Sequence, residues 1–138
     1  MNTIPANFAV WSAALQDAIQ QTGIPCGLGG KPETTAGQPW VILSVLSTVN
    51  DGDIAFFDTD QDSIVQARCV GYSPEQASQV YRRVDAAITA VEDFDGGTVI
   101  QRWRDGLTGP ARDDRTFPNQ TVYSVAATYR LWLAPTTS

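Results

Sequence analysis

Residues 64–91 read IVQARCVGYSPEQASQVYRRVDAAITAV, and this stretch decides the fold. Over its first eight residues Val65, Ala67 and Cys69 fall on one face of an extended segment and Gln66 and Arg68 on the other, which predicts a half-buried strand ending at Gly71. Ser73 follows, one residue before Pro74 and three before Gln76. Its hydroxyl is placed to accept a helix-start N–H while Gln76 reaches back, and Pro74 has no N–H to lose at the first helical position. Ala77, Val80, Tyr81, Val84, Ile88 and Val91 then recur at three- and four-residue steps, one apolar stripe with Arg82, Arg83 and Asp85 elsewhere. Strand face and helix stripe need a common partner, which the rest of the chain must supply.

Working outward, Phe8, Trp11, Leu15 and Ile19 continue a stripe begun at Ile4, so a first amphipathic helix is expected over residues 5–22, stopped by Gly23. Residues 23–39 (GIPCGLGGKPETTAGQP) are too rich in Gly and Pro for regular structure and read as a surface crossing with Ile24 and Leu28 tucked down. Residues 40–49 (WVILSVLSTV) form a nearly continuous apolar run, as in a well-covered strand. Residues 50–62 (NDGDIAFFDTDQD) read as an acidic hairpin tip. Beyond the second helix, residues 92–97 make a turn and residues 98–104 (TVIQRWR) a strand. Simple alternation there sets Val99, Gln101 and Trp103 opposite Ile100, Arg102 and Arg104. Residues 105–121 are polar and broken by Gly106, Gly109, Pro110 and Pro118, a long connection of the functional or mobile kind. In residues 122–133 Tyr123, Val125, Ala127, Tyr129, Leu131 and Leu133 share a face. The expected fold is α+β: a mainly antiparallel four-stranded sheet packed against two amphipathic helices, with a long polar loop between the last two strands.

The chain has 138 residues, which suits a single domain over residues 1–138 burying roughly 70% of its extended surface. A net charge of −6 and no basic patch argue against a general nucleic-acid binder. Arg supplies eight of the nine basic residues, with Lys31 the one Lys, as either interface chemistry or a GC-rich coding bias would give. The opening residues MNTIPANFAV show no basic segment leading into an apolar run, so no signal peptide is expected, and no stretch approaches the ~20 apolar residues of a membrane span. Cys26 and Cys69 form no CxxC pattern; two free thiols are the simpler reading, with a disulfide as the alternative.

Sites with chemistry are hard to find. The chain contains no His, which excludes Ser-His-Asp, Cys-His and His-based zinc sites. GLGGK at residues 27–31 lacks the GxxxxGK[ST] spacing, since Pro32 follows Lys31. Asp58, Asp60 and Asp62 copy the first calcium-loop positions, but Ser63 stands where Gly is required and Cys69 where Glu is. No sequence feature places a carboxylate in a desolvated pocket, so no enzyme, no metal and no cofactor is expected. What remains is surface. Asp51, Asp53, Asp58, Asp60 and Asp62 form the most acidic stretch, read as solvated or as a surface offered to a basic partner or to something that must not stick, with Phe56 and Phe57 as anchors.

The order of helix, Gly/Pro loop, PWVILSVL strand, acidic hairpin, strand ending in Gly71-Tyr72-Ser73, helix opening on Pro74-Glu75-Gln76-Ala77 with Ala86-Ala87-Ile88 near its end, and two further strands resembles the tail terminator (tail completion) proteins of long-tailed bacteriophages. GQPWVIL at residues 37–43 belongs to the same likeness, which spans nearly the whole chain. The resemblance implies a homo-oligomeric ring, most often a hexamer, assembled in the bacterial host cytoplasm and resident in the virion at the head-tail interface. Such a ring sits on the last ring of the tail tube protein, ends polymerisation and presents a surface to the head-closure or connector protein. DNA passes through its lumen without specific binding, and no membrane is involved. The five Asp residues are then candidates for the lumen, because an acidic lining avoids salt-bridging phosphates. A head-to-tail ring needs two different patches on each subunit. The candidates are Arg102, Trp103, Arg104, Arg112, Arg115 and Phe117 against residues 51–62 or 92–95. Two alternatives stand beside this reading: another head-closure or tail-assembly component, and a small-ligand or enzyme module using a pocket under residues 23–39.

Overall fold

The computed structural model describes residues 8–50, 61–94, 97–113 and 121–135. They hold α1 (Phe8–Gln20), β1 (Cys26–Leu28), β2 (Trp40–Asn50), β3 (Gln61–Gly71), α2 (Pro74–Ala90), β4 (Asp93–Phe94), β5 (Gly97–Arg112) and β6 (Tyr123–Pro135). The strands form one sheet in the order β1-β2-β3-β6-β5-β4, antiparallel throughout except for the parallel pair β1–β2. The α+β class and the two helices are as expected; the four expected strands become six. Residues 23–39 were expected to lack regular structure, but β1 lies within them. Three residues at a sheet edge are too few for a periodic signal.

The central unit follows its sequence closely. Val65, Ala67 and Cys69 are fully buried, and the alternate residues Ile64, Gln66 and Arg68 are half-buried on the other face. Ser73 has extended backbone, with φ −145° and ψ 159°, and its Oγ accepts from Gln76 N at 3.1 Å. The Gln76 Oε1 accepts from Tyr72 N at 2.7 Å, so the reciprocal cap closes one residue earlier than the simplest capping box. The corner is tight. A Cβ on Gly71 would stand 2.7 Å from Ala77 N, so only glycine lets the strand turn into the helix at this distance.

Both helices cover one face of the sheet. Leu15 and Ile19 of α1 and Ala77, Val80, Val84, Ala87 and Ile88 of α2 pack with Val41, Leu43, Val65, Ala67, Cys69, Val125, Ala127, Tyr129, Leu131 and Leu133 in one core. The face of β6 matches the expected alternation, with Tyr123 half-buried at its end. On the opposite face a second cluster joins Trp40, Val70 and Val122. Lys31 Nζ lies 4.7 Å from the Trp40 ring centre, and Tyr72 meets that ring edge-on. Ile24 is buried, as expected. Leu28 is not: it is 45% exposed, because the end of an edge strand leaves its side chain outside the core.

The largest correction concerns residues 105–121. Residues 105–112 of the expected polar loop are strand, since β5 runs to Arg112 and pairs with β6 down to Arg112–Tyr123, and residues 114–120 lie outside the described residues. Register shifts between Val99 and Gln101, Arg104 and Gly106, and Thr108 and Ala111 absorb the extra residues. Such bulges let an edge strand keep pairing through residues that would break a central one. At the last of them Gly109 has φ +97°, and a Cβ there would fall 2.4 Å from Ser124 O. Past Arg112 the hairpin is tied to the sheet by Asp113. Its N–H donates to Val122 O at 2.9 Å, and its buried carboxylate pairs with Arg68 at 2.8 Å.

Candidate subunit interface

The first bulge of β5 decides which way its side chains point. Without it, Val99 would share a face with Gln101 and Trp103. With Ile100 inserted as the extra residue, Val99, Arg102 and Arg104 stand opposite Leu133, Leu131 and Tyr129 on the helix-covered face, while Gln101 and Trp103 stand opposite Trp132 and Arg130 on the other. The alternation expected for this strand is therefore corrected: Val99 joins the Arg residues and packs against the core.

Arg102 and Arg104 consequently reach toward α2. The Arg102 guanidinium donates from Nη2 to Val91 O at 2.8 Å and from Nη1 to Thr89 O. The last turn of α2 carries no basic residue of its own, so Arg102 supplies from another strand the positive charge and the donors that the helix C-terminus needs. Arg104 donates to the Tyr81 hydroxyl and lies 5.9 Å from that ring's centre. The Arg-Trp-Arg run does not form one patch.

Trp103 is 44% exposed on the uncovered face of the sheet. Ile100 and Leu107, on the same strand, are 50% and 46% exposed. Ile100 is displayed by a bulge, and Leu107 stands opposite Ala127 on the outermost long strand. No local sequence signal distinguishes these two from core residues, because both follow from where β5 lies in the sheet. Arg112 closes the strand as an exposed residue opposite Tyr123. Asp62 belongs to β3, with Val49 and Trp132 as its strand partners. Asp51, Asp53, Asp58, Asp60, Phe56, Phe57, Arg115 and Phe117 lie outside the described residues. Of residues 92–95, Glu92 precedes β4 and Asp93 opens it, both exposed, and Asp95 lies outside the described residues.

The two thiols and one phenol of the core are held neutral. Burial pushes the Cys26 thiol up to about 12. Burial raises Cys69 further, with smaller contributions from negative charge at Cys26 and Asp85. Both thiols are free. The buried Tyr129 hydroxyl donates to Asp85 Oδ1 at 2.7 Å; burial first, and then that hydrogen bond, raise its pKa. These groups are raised far above neutral pH, the wrong direction for a nucleophile. The cavity beside residues 23–39, lined by Ile24, Pro39, Gln76, Gln79, Val80 and Arg83, measures about 160 Å³, below the usual range for small-ligand sites. Among the described residues no His, Cys, Asp and Glu group could hold a metal, and no helix is long and apolar enough to cross a membrane. No protein-family model matches the chain, and no curated protein matches it either.

Proposed function

We propose that this chain is a structural subunit of a long-tailed phage virion, a tail terminator that closes into a ring on the head-proximal end of the tail tube. The ring, hexameric on the resemblance, ends tube polymerisation and offers an attachment surface to the head connector. The observation that carries this reading is Trp103, 44% exposed on the uncovered face of the outer strand β5, with Ile100 displayed by the bulge before it and Leu107 half-exposed on the opposite, helix-covered side. Apolar side chains half-exposed on both faces of an open sheet edge mark an edge that another chain covers. The order of elements agrees with the one the resemblance requires, from α1 through the β2–β3 hairpin and α2 to the closing strands. In this reading Trp103, with Ile100 and Leu107, replaces Arg102 as the centre of the contact. The protein does no chemistry, and its net charge of −6 lets DNA pass without phosphate pairing.

Electron microscopy of the purified protein, alone and mixed with purified tail tubes, tests the proposal. Rings that cap one end of each tube and stop its growth are expected. Binding to portal assemblies with no binding to tubes would place the protein on the head side of the junction and overturn the terminator assignment.

A further inference from the structure

The sheet has two open edges, and they lie at the same height. On one side β1 pairs with Val41, Ile42 and Leu43 of β2, and among the described residues nothing pairs with the outer side of residues 44–50. On the other side β4 pairs with Gly97 and Thr98 of β5, Val99 N–H donates to Glu92 O, and among the described residues no strand pairs with the outer side of residues 100–108. Following the registers across the sheet, Asn50 is level with Gln61, Leu133 and Val99, and Ser44 with Gln66, Thr128 and Gly106. The open part of β2 thus faces outward over the same rows as residues 99–106 of β5. The interruptions are one row apart: that of β2 falls between the rows of Val65 and Ile64, and that of β5 between the rows of Val65 and Gln66. Both lie outside the rows of Ile64, Ser63 and Asp62, so a regular segment at 47–49 matches a regular segment at 101–103.

The strand directions fit too. β2, β3, β6 and β5 are successively antiparallel, so β5 runs opposite to β2. A second copy turned about an axis along the strands would bring its β2 beside β5 of the first in antiparallel sense, with unbroken hydrogen bonding. No translation along that axis is needed, which is the condition for a closed ring instead of an open helix. The chemistry of the edge agrees. Residues 44–50, SVLSTVN, carry no charge and no Pro, the usual guards against edge pairing.

From these relationships we infer that neighbouring subunits join by strand pairing, residues 101–103 of β5 on one copy against residues 47–49 of β2 on the next, making one sheet continuous around the assembly. The inference rests on the ring reading and names its contact. Each subunit uses two different edges, and the exposed Trp103 stands in the seam.

Residue-resolved hydrogen exchange on the assembled protein, with its mass fixed by light scattering, is the test. In an open edge strand alternate amides face away from the sheet and exchange within seconds. Pairing predicts that every amide in 47–49 and 101–103 exchanges slowly, and that a Val49→Cys/Gln101→Cys pair gives a disulfide ladder beyond the dimer under mild oxidation. An assembly whose alternate amides in these stretches still exchange within seconds would overturn the pairing and leave the ring intact. Efficient dimers from Gln101→Cys alone would mark a two-fold β5–β5 contact and also overturn it. A protein that is monomeric in solution and on tail tubes would remove the ring reading and the pairing together.

Discussion

The guanidinium of Arg102 on β5 donates to the carbonyl of Val91, the residue that closes α2, at 2.8 Å. The two residues are eleven apart in sequence, and this bond makes the strand the cap of the helix. The contact spends the charge of Arg102 inside the subunit. Replacing Arg102 with Ala should destabilise the folded chain by about 1–3 kcal/mol, from the lost charge-assisted bonds and the uncompensated helix end. Urea unfolding with helix content as the signal measures this. A midpoint equal to that of the parent would show that the cap contributes nothing.

Trp103, on the opposite face of the same strand, should behave in the reverse manner. Trp103→Ser removes an exposed ring, so its cost to the subunit's own stability should stay within about 1 kcal/mol. As an aromatic anchor at a contact it should weaken assembly by roughly 30-fold or more, the scale of about 2 kcal/mol for such residues. Light scattering over a dilution series reads the second quantity and thermal unfolding of the dissociated subunit the first. Unchanged assembly would take Trp103 out of the interface.

Alkaline pH should loosen the core. Cys26, Cys69 and Tyr129 all ionise less readily when folded than when unfolded, chiefly because burial disfavours their charged forms. For such groups the unfolded chain releases protons first, so their stabilising contribution is complete below the unfolded values. It is lost as pH rises from about 9, the ordinary thiol value, toward the folded value of about 12 for Cys26. Denaturation midpoints measured between pH 8 and pH 11 should therefore fall with pH, and less steeply in a Cys26→Ala/Cys69→Ala variant. A flat profile in the parent protein would contradict the burial of these groups.

The corner between β3 and α2 should tolerate no side chain. Gly71→Ala places a Cβ 2.7 Å from Ala77 N and 3.0 Å from Gln76 C, both backbone atoms that cannot swing away. A loss of about 2 kcal/mol or more is expected, in the range of overpacked sites. Chemical denaturation gives the value, and a loss under about 0.5 kcal/mol would mean that the corner relaxes.

How much of this was legible in the sequence differs from element to element, for physical reasons. β3, its cap and α2 could be read directly because periodicity and cap chemistry agree: alternation at Val65, Ala67 and Cys69, then Ser73, Pro74 and Gln76 at fixed offsets. β6 was legible for the same reason, as a long half-buried strand keeps its period. β5 was not. Gly106, Gly109 and Pro110 argue locally for a loop, and only pairing with β6 shows that bulges accommodate them. The bulge at Ile100 also reverses the faces of residues 101–104 relative to Val99, until the shift after Arg104 restores them, which is why alternation set Val99 with Trp103 and not with Arg102. The bond from Arg68 to Asp113 joins residues 45 apart and leaves no local trace. Of the interface residues expected from sequence, Trp103 keeps its place in the proposal. Ile100 and Leu107 emerge only from the position of their strand at the side of the sheet.

The central claim is that the chain works by assembling with copies of itself. The mass of the purified protein by size-exclusion chromatography with light scattering, measured alone and after mixing with tail tubes, tests it most directly. The account predicts a closed ring of one fixed copy number that also appears as a cap on tube ends. A monomer at every concentration that also fails to join tubes would contradict it.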